Sequence, residues 1–190
     1  MTTVTSLGIL VLALLAERPM HPYEMYRLLI ERREDRYVKI RPGSLYHTVD
    51  RMAERGLVEA VGTERDGGRP ERTTYRITTA GRDALDERIR TLLATPVNEY
   101  PQFPVALSEA HNLPRTEVIE LLTTRVRILE ASLAETDSML GVAEARQVEE
   151  AYLVAARYLR DLLATELNWL TDLIGRLERK ELRWPYEDML

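Results

Sequence analysis

Between Pro42 and Thr78 the apolar residues change their period once, and that change narrows the fold more than any other feature. In RPGSLYHTVDRMAERGLVE, which runs from Arg41 to Glu59, the residues Leu45, Val49 and Met52 recur at helical spacing. Pro42 suits the first position of that helix and Gly56 its end. The Ser, Thr or Asp expected before the first turn is missing, because Arg41 holds the place. Leu57–Gly62 then reads as a short strand, and TERDGGRPE as a polar turn containing Gly67, Gly68 and Pro70. RTTYRIT alternates strictly: Tyr75 and Ile77 face one way, and Thr74, Arg76 and Thr78 the other. A helix thus runs into a two-stranded hairpin with a long charged tip.

Two helices are expected before this stretch. Val4–Ala16 is nearly all apolar and belongs at the centre of a small core. Its apolar run is too short to span a membrane, and with no basic residue ahead of it we read a buried helix rather than a signal-peptide core. ERPMHP breaks it, and a second helix starts at Pro22 with Met25, Leu28 and Leu29 inward. After the hairpin, a fourth helix starts near Thr79 and carries Leu85, Ile89, Leu92 and Leu93. Three helices, a hairpin and a closing helix are the order of a winged helix-turn-helix, expected over residues 1–95.

TPVNEYPQFP, with Pro96, Pro101 and Pro104, marks a boundary, and a second, helical domain is expected over 96–190. A short segment covers about 105–112. A long helix runs from Pro114 to about Leu140 with Val118, Leu122, Val126, Leu129 and Leu133 on one stripe. A longer one is expected from Glu144 to Arg183. Its Val148, Tyr152, Ala155, Leu159 and Leu162 follow steps of four and three, as in a helix-pairing seam. The fold class is therefore mainly α, with a winged helix-turn-helix followed by long helices.

Charge separates the two halves. The net charge of −5 over 190 residues argues against nucleic acid, but Arg36–Arg82 holds 10 basic and 6 acidic residues. The outward side of the third helix carries Ser44, His47, Thr48 and Arg51, with Tyr46 on its flank and Arg41 at its start. Arg51 can donate two parallel hydrogen bonds to a guanine edge, and the first-turn amides near Ser44 favour a phosphate. Arg65, Arg69 and Arg72 on the wing add sequence-blind attraction. Taken singly, each of these reads as solvated surface, Tyr46 as half-buried packing, and Arg51 or Arg55 as paired with Asp50 or Glu54. Their joint placement on one face favours double-stranded DNA as the partner. A winged helix that binds protein through the same face is the alternative.

Catalysis lacks a basis. Cysteine is absent, so no thiolate or cysteine metal site exists, which fits a cytoplasmic protein. His21, His47 and His111 have no metal-ligand spacing, and no glycine-rich phosphate loop follows a strand. No cofactor, metal or membrane partner is expected.

GSLYHTVDRMAERGLVE followed by GGRPERTTYRITTAGRDAL resembles the PadR family of bacterial transcriptional regulators. Gly43, Ser44, Leu45, Tyr46, Arg51, Gly56, Leu57, Gly68, Arg69, Pro70, Tyr75, Thr78 and Gly81 match its pattern, whereas His47 stands where the family often has proline and Met52 where it often has leucine. The likeness covers about residues 5–90. ATELNWLTDLIGRL, Ala164–Leu177, resembles the helical dimerisation region of longer members. The resemblance implies a homodimer on a roughly palindromic operator, acting as a repressor released by a small molecule, phenolic acids being one effector class.

Broad apolar faces on two long helices support the dimer independently. Val148, Tyr152, Leu159, Leu162, Glu166, Trp169, Leu170 and Leu173 are the candidate interface residues. Glu166 continues the stripe from Leu162 to Trp169, so we expect it to pair with a group such as an Arg across or near that interface. The alternative is a helix rotated enough to expose it. Tyr158 and Trp169 are candidates for a small aromatic effector, although aromatics at this spacing read first as interface core. Trp184-Pro185-Tyr186 is expected to pack the chain end.

Overall fold

The computed structural model describes residues 3–64 and 72–185. The chain divides into two compact units, Met1–Glu99 and Tyr100–Leu190.

In the first unit, α1 spans Ser6–Glu17 and starts two residues later than its apolar run, because Thr5 caps it by accepting the Gly8 N–H. It is the centre of the core: Val11, Leu12, Leu14 and Leu15 are buried. α2 spans Pro22–Glu31; its cap is His21, whose Nδ1 accepts the Tyr23 N–H at 3.0 Å. α3, Pro42–Glu54, buries Leu45, Val49 and Met52, the face its spacing marks. Gly56 takes a left-handed φ of 68°, and the Leu57 N–H returns to the Met52 carbonyl at 2.9 Å, closing the helix.

β1 (Val58–Glu64) pairs antiparallel with β2 (Arg72–Ile77), with an irregularity between Ala60 and Gly62. Ile77 is buried and Tyr75 half-buried against the core, while Arg76 faces out and bonds Glu59 at 2.7 Å. The wing has one further tie that the alternation does not reveal. Met20, in the turn after α1, exchanges two backbone hydrogen bonds with Tyr75, each 3.0 Å, as an isolated antiparallel bridge.

α4 spans Thr79–Ala94 behind a Thr78 cap, whose hydroxyl accepts the Gly81 N–H and donates to the Gly56 carbonyl at 2.7 Å. Leu85 is buried in this unit's core, but Ile89, Leu92 and Leu93, farther along the helix, are exposed. The Arg88 guanidinium donates to the Val4 carbonyl at 3.2 Å and fastens α4 to the start of the chain.

In the second unit, α5 spans Gln102–Ser108, α6 Arg115–Ala145 and α7 Val154–Glu178. The single helix expected from Glu144 to Arg183 is corrected at both ends. α6 runs on through Ala145, and the chain then breaks at Gln147 (φ 56°) and makes a 3-10 turn at Glu150–Tyr152. Val148 and Tyr152 therefore lie before α7 rather than on it. The helix ends at Glu178, followed by Lys180 at φ 56°, short of the expected Arg183. Both stops use left-handed residues other than glycine, which carry no sequence signal and cost about 1 kcal/mol each.

Val118 and Leu122 of α6 form the second core with Leu170 and Leu177 of α7. Trp184 packs there and donates its indole N–H to the Leu113 carbonyl at 2.7 Å. Tyr186 lies outside the described residues.

A methyl group added at Gly81 would overlap the Leu57 carbonyl oxygen and stand 2.8 Å from Ile77 Cγ1. Gly81→Ala should therefore lower stability by about 1–3 kcal/mol in urea unfolding, an overpacking cost. Gly43→Ala, with nothing within 4 Å of the added carbon, should leave stability unchanged or raised.

Candidate nucleic-acid interface

Burying Leu45, Val49 and Met52 turns the other side of α3 outward, where Ser44, Tyr46, His47 and Arg51 are exposed and Thr48 is half-buried. Arg41 precedes the helix in extended conformation (φ −128°, ψ 142°) and makes no capping bond, so the first-turn amides have no side-chain acceptor. Thr48 differs from the rest: its hydroxyl donates to the Ser44 carbonyl at 2.8 Å and is turned onto its own helix. Tyr46 stands edge-on to His21, with ring centroids 6.2 Å apart at 75°. The cap of α2 thus props the flank of α3.

Pairing separates the arginines of this unit. Arg18 binds Glu24, Arg32 binds Glu17, Arg76 binds Glu59 and Arg90 binds Asp86. The hydrogen bonds from Arg32 and Arg18 hold the Glu17 and Glu24 carboxyls below the ordinary glutamate value. Both pairs stabilise at neutral pH and lose that contribution as pH falls through the lowered values; being exposed, they contribute little. Burial pushes the Tyr75 phenol up, and the nearby Asp50 carboxylate adds to it. Among the described residues, no hydrogen bond or ion pair holds the side chains of Arg41 or Arg51. Neither Asp50 nor Glu54 neutralises Arg51. Arg65 and Arg69 lie outside the described residues, and Arg72 opens β2.

The second unit places its expected site residues differently. Glu166 accepts from Arg125 Nε at 2.9 Å and from Nη2 at 2.6 Å, within one chain. The same guanidinium lies 3.6 Å over the Phe103 ring. Arg125 was missed by sequence reasoning, since it is 41 residues from its partner and off the apolar stripe. Leu170, expected between copies, is fully buried in its own chain's core, so it offers nothing to a second copy. Leu173 is half-buried on the same core. Leu162, Trp169 and Tyr158 are exposed on α7, with Leu159 half-buried, and Val148 and Tyr152 are exposed ahead of it.

No cluster of acidic or histidine side chains suited to a metal occurs among the described residues, and none of their helices is long and apolar enough to cross a membrane.

Three helices, the third turning an unpaired Arg51 outward, and a wing define a winged helix-turn-helix domain. Residues 11–87 match the model of the transcriptional regulator PadR-like family. The fold is that of solved PadR proteins. Bacillus subtilis PadR in complex with operator DNA superposes with a TM-score of 0.75 at 15% identity, covering 89% of this chain and 96% of that one. The same protein in complex with p-coumaric acid gives 0.73 at 13%, covering 90% and 97%. A PadR-like transcriptional regulator from Bacillus cereus gives 0.64 at 16%, covering 90% and 98%. No curated protein sequence matches the chain.

Proposed function

We propose that this chain is a cytoplasmic transcriptional repressor that binds a two-fold operator as a homodimer through α3. The observation that carries the reading is the division of that helix. Leu45, Val49 and Met52 fill the core, while Arg51 and Arg41 face outward with no carboxylate neutralising them. In the groove, Arg51 reads a base edge, Ser44 and the uncapped amides hold a phosphate, and Tyr46 and His47 line the flank. The wing arginines Arg65, Arg69 and Arg72 supply sequence-blind attraction. The structure of Bacillus subtilis PadR with operator DNA supports this use of the fold.

The homodimer rests on uncovered apolar surface. Tyr158, Leu162 and Trp169 leave 62%, 48% and 50% of their surface open along α7, and Leu121 and Ile128 are exposed at a seven-residue interval on α6. A second copy is the simplest cover. Release by a small aromatic effector is supported by the p-coumaric acid complex of the Bacillus protein. Tyr158 and Trp169 are too open to enclose a ligand within one chain, so a closed aromatic seat needs the partner copy.

Two measurements test this. Arg51→Ala should relax preference at one base position of a library-selected site and weaken binding by about 1–3 kcal/mol; unchanged preference would mean that α3 does not read bases. Leu162→Glu should convert the dimer to monomer in sedimentation and abolish binding to paired half-sites, which lie roughly 34 Å apart or a multiple of it. A variant that stays dimeric and binds as before would remove this face from the interface.

A further inference from the structure

The connection between α2 and α3 is ten residues long, Arg32–Arg41, where roughly three or four suffice to turn between two such helices. It leaves α2 through Arg33 at φ 60°, makes a 3-10 turn at Glu34–Arg36 that closes on Tyr37 (φ −95°, ψ −32°), bends at Val38 and reaches Arg41 in extended conformation. Over this last part burial alternates. Val38 and Ile40 pack against the core of the first unit, whereas Tyr37, Lys39 and Arg41 are exposed. Two apolar side chains thus anchor the segment, and the residues between and after them turn outward. From Arg36 to Val49 the sequence holds no carboxylate. Among the described residues, neither the Lys39 ammonium nor the Arg41 guanidinium makes a hydrogen bond or ion pair.

A surface loop needs neither this length nor this pattern. We propose that residues 38–41 form a backbone-tracking arm in which Lys39, with Arg41, grips phosphates of one DNA strand at the edge of the groove that α3 enters. The arm rests on the reading of α3 as the groove helix and adds a contact surface to it. Lys39 and Arg41 stand two residues apart, at most about 7 Å between their Cα atoms, on stems long enough to reach neighbouring phosphates. The arm leads straight into the uncapped first turn of α3, and the wing leaves from that helix's other end. Lysine acts there as a point charge, so the arm sets register and attraction and carries no base preference.

The test uses the full chain with Lys39→Gln and Lys39→Arg, and measures affinity against salt for a library-selected site and an unrelated duplex. Lys39→Gln, which removes one phosphate contact from each of the two copies, should reduce the log–log salt slope by about 1.8 and weaken both duplexes by the same factor, and Lys39→Arg should restore both. If the wild-type protein binds steeply and Arg51→Ala relaxes preference, while Lys39→Gln keeps the wild-type slope, the arm is refuted and the groove helix stands. If the wild-type protein shows no salt-dependent binding to either duplex, the groove reading fails and takes the arm with it.

Discussion

The first unit depends on one packing relation: α3 is held against α1 by Leu45, Val49 and Met52. Which side chains of α3 face outward is set by the rotation of that helix about its own axis, and those three side chains set the rotation. Turning the helix by one residue, roughly 100°, would bury a polar or cationic group and expose a core leucine. The capping geometry reinforces the choice. Gly56 stops the helix, the Leu57 carbonyl sits against Gly81, and the Thr78 hydroxyl ties the Gly56 carbonyl to the start of α4. The wing and the closing helix are thus hung from the exit of α3.

Charge then distinguishes structural arginines from available ones. Arg18, Arg32, Arg76 and Arg90 are committed to carboxylates within the unit. Arg41, Arg51 and Lys39 are not, and they lie on α3 or on the segment that leads into it. A chain with a net negative charge can in this way present a local positive surface. In the second unit Arg125 serves a different purpose, joining Phe103 on α5 to Glu166 on α7.

Period made the first unit legible. The helical spacing of α3 and the alternation of Tyr75 and Ile77 each marked the face that is buried, because one side of each element meets a core. The Met20–Tyr75 bridge was not legible, since main-chain pairing leaves no mark on side-chain type. The second unit was read less well for two physical reasons. Gln147 and Lys180 end or break helices in a conformation normally signalled by glycine, so the stretch 144–183 looked continuous. Its helices also carry apolar residues on more than one face. From spacing alone, Leu170 cannot be told from Leu162, although the first is sealed in its own chain and the second is open. Glu166 needed an arginine, but which arginine depended on how α6 and α7 align.

The central claim is that α3 lies in the major groove with its arginine edge toward the bases. Methylation interference on a library-selected site tests it most directly, because a methyl group on guanine N7 stands in the major groove and one on adenine N3 in the minor groove. With α3 so placed, N7 methylation blocks binding at two clusters of guanines about one helical turn apart, or a multiple of it. Binding indifferent to every N7 methyl group, and sensitive only to adenine N3 methylation, would contradict it.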